Sequence, residues 1–187
     1  MPVTIVKEDG TGLTNANSYA SVADGETYAN ERLKNAAWSN ATDDDKARAL
    51  IMATRQIDNG MQFNGYKNSQ SQALQWPRRL CPDPDSDQLS IILGGGDTAG
   101  PYLPENVVPP LILQATCEQA VMNLRGDRTG DSQSAGVDKI EIVGAVKIDF
   151  SDASTQPLPL SRDVLFMLEK YGNAMGDGGG VVKLQRA

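Results

Sequence analysis

A chain of 187 residues with ten prolines, eighteen glycines and only ten aromatic residues suits one domain with a modest core and long loops. At this length roughly two-thirds to three-quarters of the unfolded surface can be buried, so no disulfide or metal is needed for folding. The lack of histidine removes Ser-His-Asp and Cys-His catalysis and nearly all familiar zinc hydrolases. A formal net charge of −7 repels nucleic-acid phosphates unless basic residues cluster.

Val3 and Ile5 alternate with Thr4, a short strand signal, and Asp9-Gly10 and Thr11-Gly12 mark turns. Asn17-Ser18 offers an N-cap for a first helix carrying Tyr19, Val22, Ala23 and Leu33 on one side, weakened by Gly25. Thr42 before Asp43-Asp44-Asp45 is a stronger start, with a capping hydroxyl and carboxylates at the positive end of the helix dipole. Ala47, Leu50, Ile51, Thr54, Ile57 and Met61 then recur at helical spacing, and Gly60 marks the end.

Residues 62–106 read mostly as one long loop, punctuated by Gly65, Pro77, Pro82, Pro84, Gly94 to Gly96, Gly100, Pro101 and Pro104. Leu89, Ile91, Ile92 and Leu93 offer a short strand inside it. A loop this long usually has a task, often at an interface. Pro109-Pro110 suits a first helical turn. Leu111 to Leu124 is apolar nearly all round, interrupted by Gln114, Glu118, Gln119 and Asn123. It predicts a central helix buried on several sides, holding Cys117 and ending at Gly126.

Ile140, Ile142, Val146, Ile148 and Phe150 share one parity, which is β alternation. The segment is either a hairpin with a three-residue turn, Val143 to Ala145, or one long strand bent at Gly144. Ser161 caps a last helix with Val164, Leu165, Leu168 and Tyr171, and Gly172 to Gly180, with five glycines in nine residues, reads as a flexible linker. The expected fold is mainly α (α+β): a small helical bundle around a central buried helix, with a hairpin or bent strand, long loops and an extended tail. Its domain spans 1–171, and 172–187 form linker and tail.

Motifs for chemistry fail on their details. Gly94-Gly95-Gly96 lacks the Lys-Ser/Thr of a phosphate loop. Asp83, Asp85 and Asp87 start like a calcium loop, but Gln88 and Gly94 stand where glycine and glutamate are required. Asp9-Gly10-Thr11-Gly12 lacks the pattern of an aspartic-protease loop, and Arg125-Gly126-Asp127 falls at a helix end. The expectation is no catalytic, cofactor-binding or metal-binding residues, hence no enzyme. Isolated Cys81 and Cys117, no membrane-length apolar run and no signal-peptide core at Met1 to Gly12 fit a cytosolic product with reduced thiols.

Trp76-Pro77-Arg78-Arg79 is the most unusual string, because tryptophan and arginine dominate binding hot spots. Three readings stand: Trp76 anchors the long loop to its own core, the string meets another subunit, or the indole stacks on nucleic acid. Val181, Val182, Lys183, Leu184 and Arg186 form a small apolar-basic tail, too short for a core of its own.

Two strings carry a family resemblance. Glu8-Asp9-Gly10-Thr11-Gly12-Leu13 with Ala16-Asn17-Ser18-Tyr19-Ala20-Ser21, and Ala73-Leu74-Gln75-Trp76-Pro77-Arg78 after the helix Lys46 to Asp58, resemble a phage family labelled DnaT-like single-stranded-DNA-binding protein. Proteins of this type resemble head–tail connector adaptors of tailed bacteriophages. The resemblance implies a virion protein of the phage neck, present in the host cytoplasm during assembly. It implies a ring homo-oligomer, usually a dodecamer, beneath the portal protein, which extends the channel for packaged dsDNA and docks the next tail, collar or stopper component. Neither a cofactor nor a membrane is implied. On that reading Trp76, Pro77, Arg78 and Arg79 are interface residues, with Arg78 acting in assembly more than in folding. Val181, Val182, Lys183, Leu184 and Arg186 dock on the portal or a neighbouring subunit. The alternative is a single-stranded-DNA-binding replication protein.

Overall fold

The computed structural model describes residues 2–86, 102–126, 160–175 and the backbone of 139–142 and 146–149. Helix α1 spans Val22–Asn30, α2 Ala36–Ser39, α3 Asp43–Gly60, α4 Pro110–Arg125 and α5 Arg162–Leu168. Strands are β1 Met61–Phe63, β2 Tyr66–Lys67, β3 Arg78–Arg79, β4 Lys139–Ile142, β5 Val146–Asp149 and β6 Gly172–Ala174. They form three antiparallel pairs, β1 with β6, β2 with β3 and β4 with β5. The fold is α+β and mainly helical.

α3 begins where its sequence places it. The Thr42 hydroxyl accepts from the Asp45 N–H at 3.2 Å, and three aspartates fill the first turn. Ala47, Leu50, Thr54 and Ile57 are buried as expected, and Ala49, Ala53 and Gln56 are buried as well. α3 is therefore held from two sides, and Ile51 is only half-buried.

α4 is the central helix. Proline opens it and Gly126 ends it. It packs against α1, α2, α3 and α5. Of the four polar residues that interrupt its apolar surface, Glu118 and Gln119 are themselves buried beside Cys117 and Ala120, whereas Gln114 is exposed and Asn123 half-buried. The core divides around the two tryptophans. Trp38 packs with Ala29, Leu50, Ala53, Cys117 and Val121, while Trp76 packs with Ile57, Phe63, Ile112, Val164, Leu168 and Tyr171.

The first helix starts later than expected. Ser21, not Asn17-Ser18, is its N-cap: Ser21 and Asp24 form a reciprocal capping box. Tyr19 is buried ahead of the helix, and Leu33 lies fully exposed beyond it. Gly25 is the surface on which the Trp38 ring rests, so the glycine that weakens the helix by propensity admits the indole of α2. That short helix carries no readable sequence period.

The expected loop 62–106 contains most of β1 and all of β2 and β3; its candidate strand at Leu89 to Leu93 lies outside the described residues. The alternating segment is a hairpin, with Ile140 opposite Ile148 and Ile142 opposite Val146, which is the three-residue-turn register. Ser161 caps α5, accepting from the Val164 N–H. The linker expected from Gly172 starts instead as β6, with Gly172 opposite Phe63 and Ala174 opposite Met61. Gly172 is needed there because a side chain would meet the Gln62 carbonyl oxygen at 2.3 Å. Composition alone reads such a glycine as flexible, whereas close strand approach also selects it.

Candidate functional site

The two strings that carry the resemblance are folded against each other. In the first, the Glu8 carboxylate is buried and turned into its own loop: Oε1 accepts from the N–H groups of Gly10 and Gly12 at 3.0 and 2.8 Å, and Oε2 from Leu13 at 2.9 Å. Gly10 and Gly12 take φ of 100° and 80°, left-handed values that glycine reaches without strain. Asp9 accepts from the backbone N–H and hydroxyl of Thr11, which holds its carboxyl below the usual range. The Leu13 carbonyl then accepts from the Ala73 N–H at 2.9 Å, joining the opening to the second string.

A second junction sits at the C-terminal end of α3. Asp58 Oδ1 accepts from the Tyr19 hydroxyl, and Oδ2 from the Gln75 N–H at 3.0 Å. The Trp76 N–H donates to the Tyr19 oxygen at 3.1 Å. Burial pushes the Asp58 carboxyl up to about 6, against the hydrogen bonds that favour its charge.

Trp76 is completely buried, with Phe63 and Tyr171 edge-on to its ring at centroid distances of 5.6 and 5.8 Å. The following peptide is cis, and Pro77 is buried. Arg78 is buried too. Its guanidinium donates to the carbonyls of Phe63, Asn64, Gly65 and Gln75 and to the Gln75 side chain, at 2.7 to 3.2 Å. Burial lowers its pKa. A flat, five-donor fork suits such a ring of neutral oxygens. Of the four residues offered as an interface, Trp76, Pro77 and Arg78 are buried inside the subunit, and of the three readings of the string the structure has Trp76 as the anchor of the long loop.

Arg79 alone of the four is exposed. It stands opposite Tyr66 in the β2–β3 ribbon, and directly opposed residues share a face. Tyr66 is 65 % exposed and the adjoining Leu80 48 %. Lys67, opposite Arg78, is half-buried. The exposed side of the ribbon thus carries a tyrosine and an arginine, with the exposed Leu80 following β3 at a left-handed φ of 54°, a candidate contact surface among the described residues. Tyr66 had a signal in the turn dipeptide Asn64-Gly65 just before it. Asp58 had none, since a lone aspartate near a helix end reads as solvated. The tail residues Val181, Val182, Lys183, Leu184 and Arg186 lie outside the described residues.

Two polar contacts brace the other half of the molecule. Arg32 donates two hydrogen bonds to the buried Glu118, 2.8 Å from Nε and 2.7 Å from Nη2, and Tyr28 adds a third at 3.0 Å. Burial pulls the Glu118 carboxyl up, but Arg32 outweighs it and the net shift is downward. Gln119 reaches Gln56 on α3 and the Ser161 N–H ahead of α5. Cys81 and Cys117 are free and buried, the Cys117 thiol pushed up to about 12 by burial. Among the described residues no cluster of three metal-ligating side chains occurs, and no helix is long and apolar enough to cross a membrane. Asp83 accepts from the Asp85 N–H in a local turn; Asp87 lies outside the described residues.

The family described as "Putative DnaT-like ssDNA binding protein" matches residues 3–187, and the chain belongs to it. Comparison with curated proteins and with solved structures gave no match.

Proposed function

We propose that this member of the family is a structural subunit of a tailed-phage neck, without catalytic turnover. It is a head–tail adaptor whose ring beneath the portal extends the DNA channel and receives the next tail component. The observation that supports this reading is the burial of Trp76 and Arg78. The string best suited by composition to stack on a base and grip a phosphate is consumed in holding the subunit together. With a net charge of −7, what remains suits a wall past which DNA slides. The test is mass spectrometry of purified virions together with electron micrographs of the protein mixed with its portal. The chain is expected in the virion and as a ring on the portal; its absence from virions sinks the reading. Removing residues 181–187 is expected to leave melting unchanged while portal binding weakens, since many weak tail contacts act together in a ring.

The second reading, single-stranded-DNA binding in replication, is favoured by the description of the family and by the exposed Tyr66–Arg79 pair. A salt-dependent gel shift separates the two. The adaptor reading expects binding no tighter than roughly 10⁻⁴ to 10⁻⁶ M at physiological salt; nanomolar binding of a short oligonucleotide reverses the order.

A further inference from the structure

We propose that the ribbon face formed by Tyr66 and Arg79, with the exposed Leu80 beside it in sequence, docks onto the acidic start of α3, Asp43 to Asp45, in a second copy of this chain. The inference rests on the ring reading and adds to it the two surfaces that meet.

The two surfaces lie at opposite ends of one element. α3 has 18 residues, about 27 Å at 1.5 Å per residue. At its first turn the Asp43 side chain is 91 % exposed, with Lys46 no closer than 3.8 Å, and Asp44 and Asp45 share Arg48. Lys46 lies nearer Glu26, at 3.2 Å. That end therefore keeps negative charge. At the other end, Asp58 contacts the loop that leads into β3, and Arg79 has no ion-pair partner among the described residues. A subunit positive at one end of a helix and negative at the other complements its own copy when stacked head to tail.

A two-fold pairing of ribbon on ribbon sets Arg79 beside Arg79, and like charges repel. Pairing ribbon with acidic turn satisfies the charges either in an antiparallel two-fold dimer or in a heterologous contact that closes into a ring when the rotation allows, and the ring reading selects the second. Tyrosine and arginine are the residue types that carry most interface energy, and Leu80 adds apolar area that salt does not screen. Nucleic acid suits this face less well, because Arg79 is its one exposed cation and Lys67 is half-buried.

Light-scattering mass against concentration tests the proposal, using the full chain, Arg79→Glu, Asp43→Lys and the two combined. Each single change is expected to weaken self-association about tenfold or more, the scale of a lost interfacial charge pair, and the combined swap to restore it. Self-association that ignores Arg79→Glu, or a combined swap that fails to restore it, overturns this surface and leaves the ring reading standing. A wild-type chain that stays monomeric, free and on its portal, sinks both. Arg79→Glu that abolishes binding of a labelled oligothymidylate, with self-association untouched, reassigns the face to nucleic acid.

Discussion

Tyr19 and Asp58, 39 positions apart, share one hydrogen bond through which the start of the chain, the end of α3 and the Trp76 loop are tied. The Tyr19 hydroxyl gives its proton to Asp58 and takes the Trp76 N–H, so it is satisfied as donor and as acceptor.

This junction sets a pH dependence. The Asp58 carboxyl rises from 3.8 to about 6 because burial penalises its charge. A raised carboxyl contributes stability that is complete below its unfolded value and lost as pH rises through about 6. The span is worth about 3 kcal/mol. In urea unfolding, the stability of the wild type relative to Asp58→Ala should therefore grow as pH falls from about 7 to about 4. A difference that stays flat over that range refutes the assignment.

Trp76→Ala is expected to cost about 3–5 kcal/mol, the usual range for removing a fully buried large aromatic. The indole N–H has no hydrogen-bond partner among the described residues, so Trp76→Phe should cost clearly less, losing ring area and no hydrogen bond. Thermal melting of the two variants checks the order; equal losses contradict a packing role.

Arg78→Ala leaves a set of buried carbonyls without donors, each costing about 1–3 kcal/mol if water cannot replace the guanidinium. The loss should appear as reduced folding stability, and Arg78→Lys should not rescue it, because an ammonium cannot reach four carbonyls in a fork. Full rescue by lysine points instead to charge alone.

Glu118→Ala strands the half-buried Arg32 and removes the acceptor of Tyr28, at a cost of about 1–3 kcal/mol. The Glu118 carboxyl is depressed in the folded state, so its contribution is present above the ordinary glutamate value and fades as pH falls through the lower folded one. A double-mutant cycle with Arg32→Ala measures the coupling; additive losses show that the pair does not interact.

The amino-acid order by itself determined whatever is decided within a turn or two of chain. Thr42 with its aspartates, Ser161 before α5, and Pro110 and Gly126 around α4 are all local, since a cap is satisfied by neighbours a few residues away; the parity over 140–148 fits a hairpin or a bent strand equally, and only the pairing of β4 with β5 selects the hairpin. Tertiary structure decided the rest. Met61 to Phe63 becomes a strand only because residues 172–174 arrive beside it. Glu118 reads as a break in an apolar helix until Arg32 reaches it from 86 positions away. Trp76 and Arg78 face inward, and Arg79 outward, because Phe63, Tyr171 and three consecutive carbonyls close around the first two. A side chain's role as anchor or contact depends on which distant groups surround it, and those distances exist only once the chain has folded.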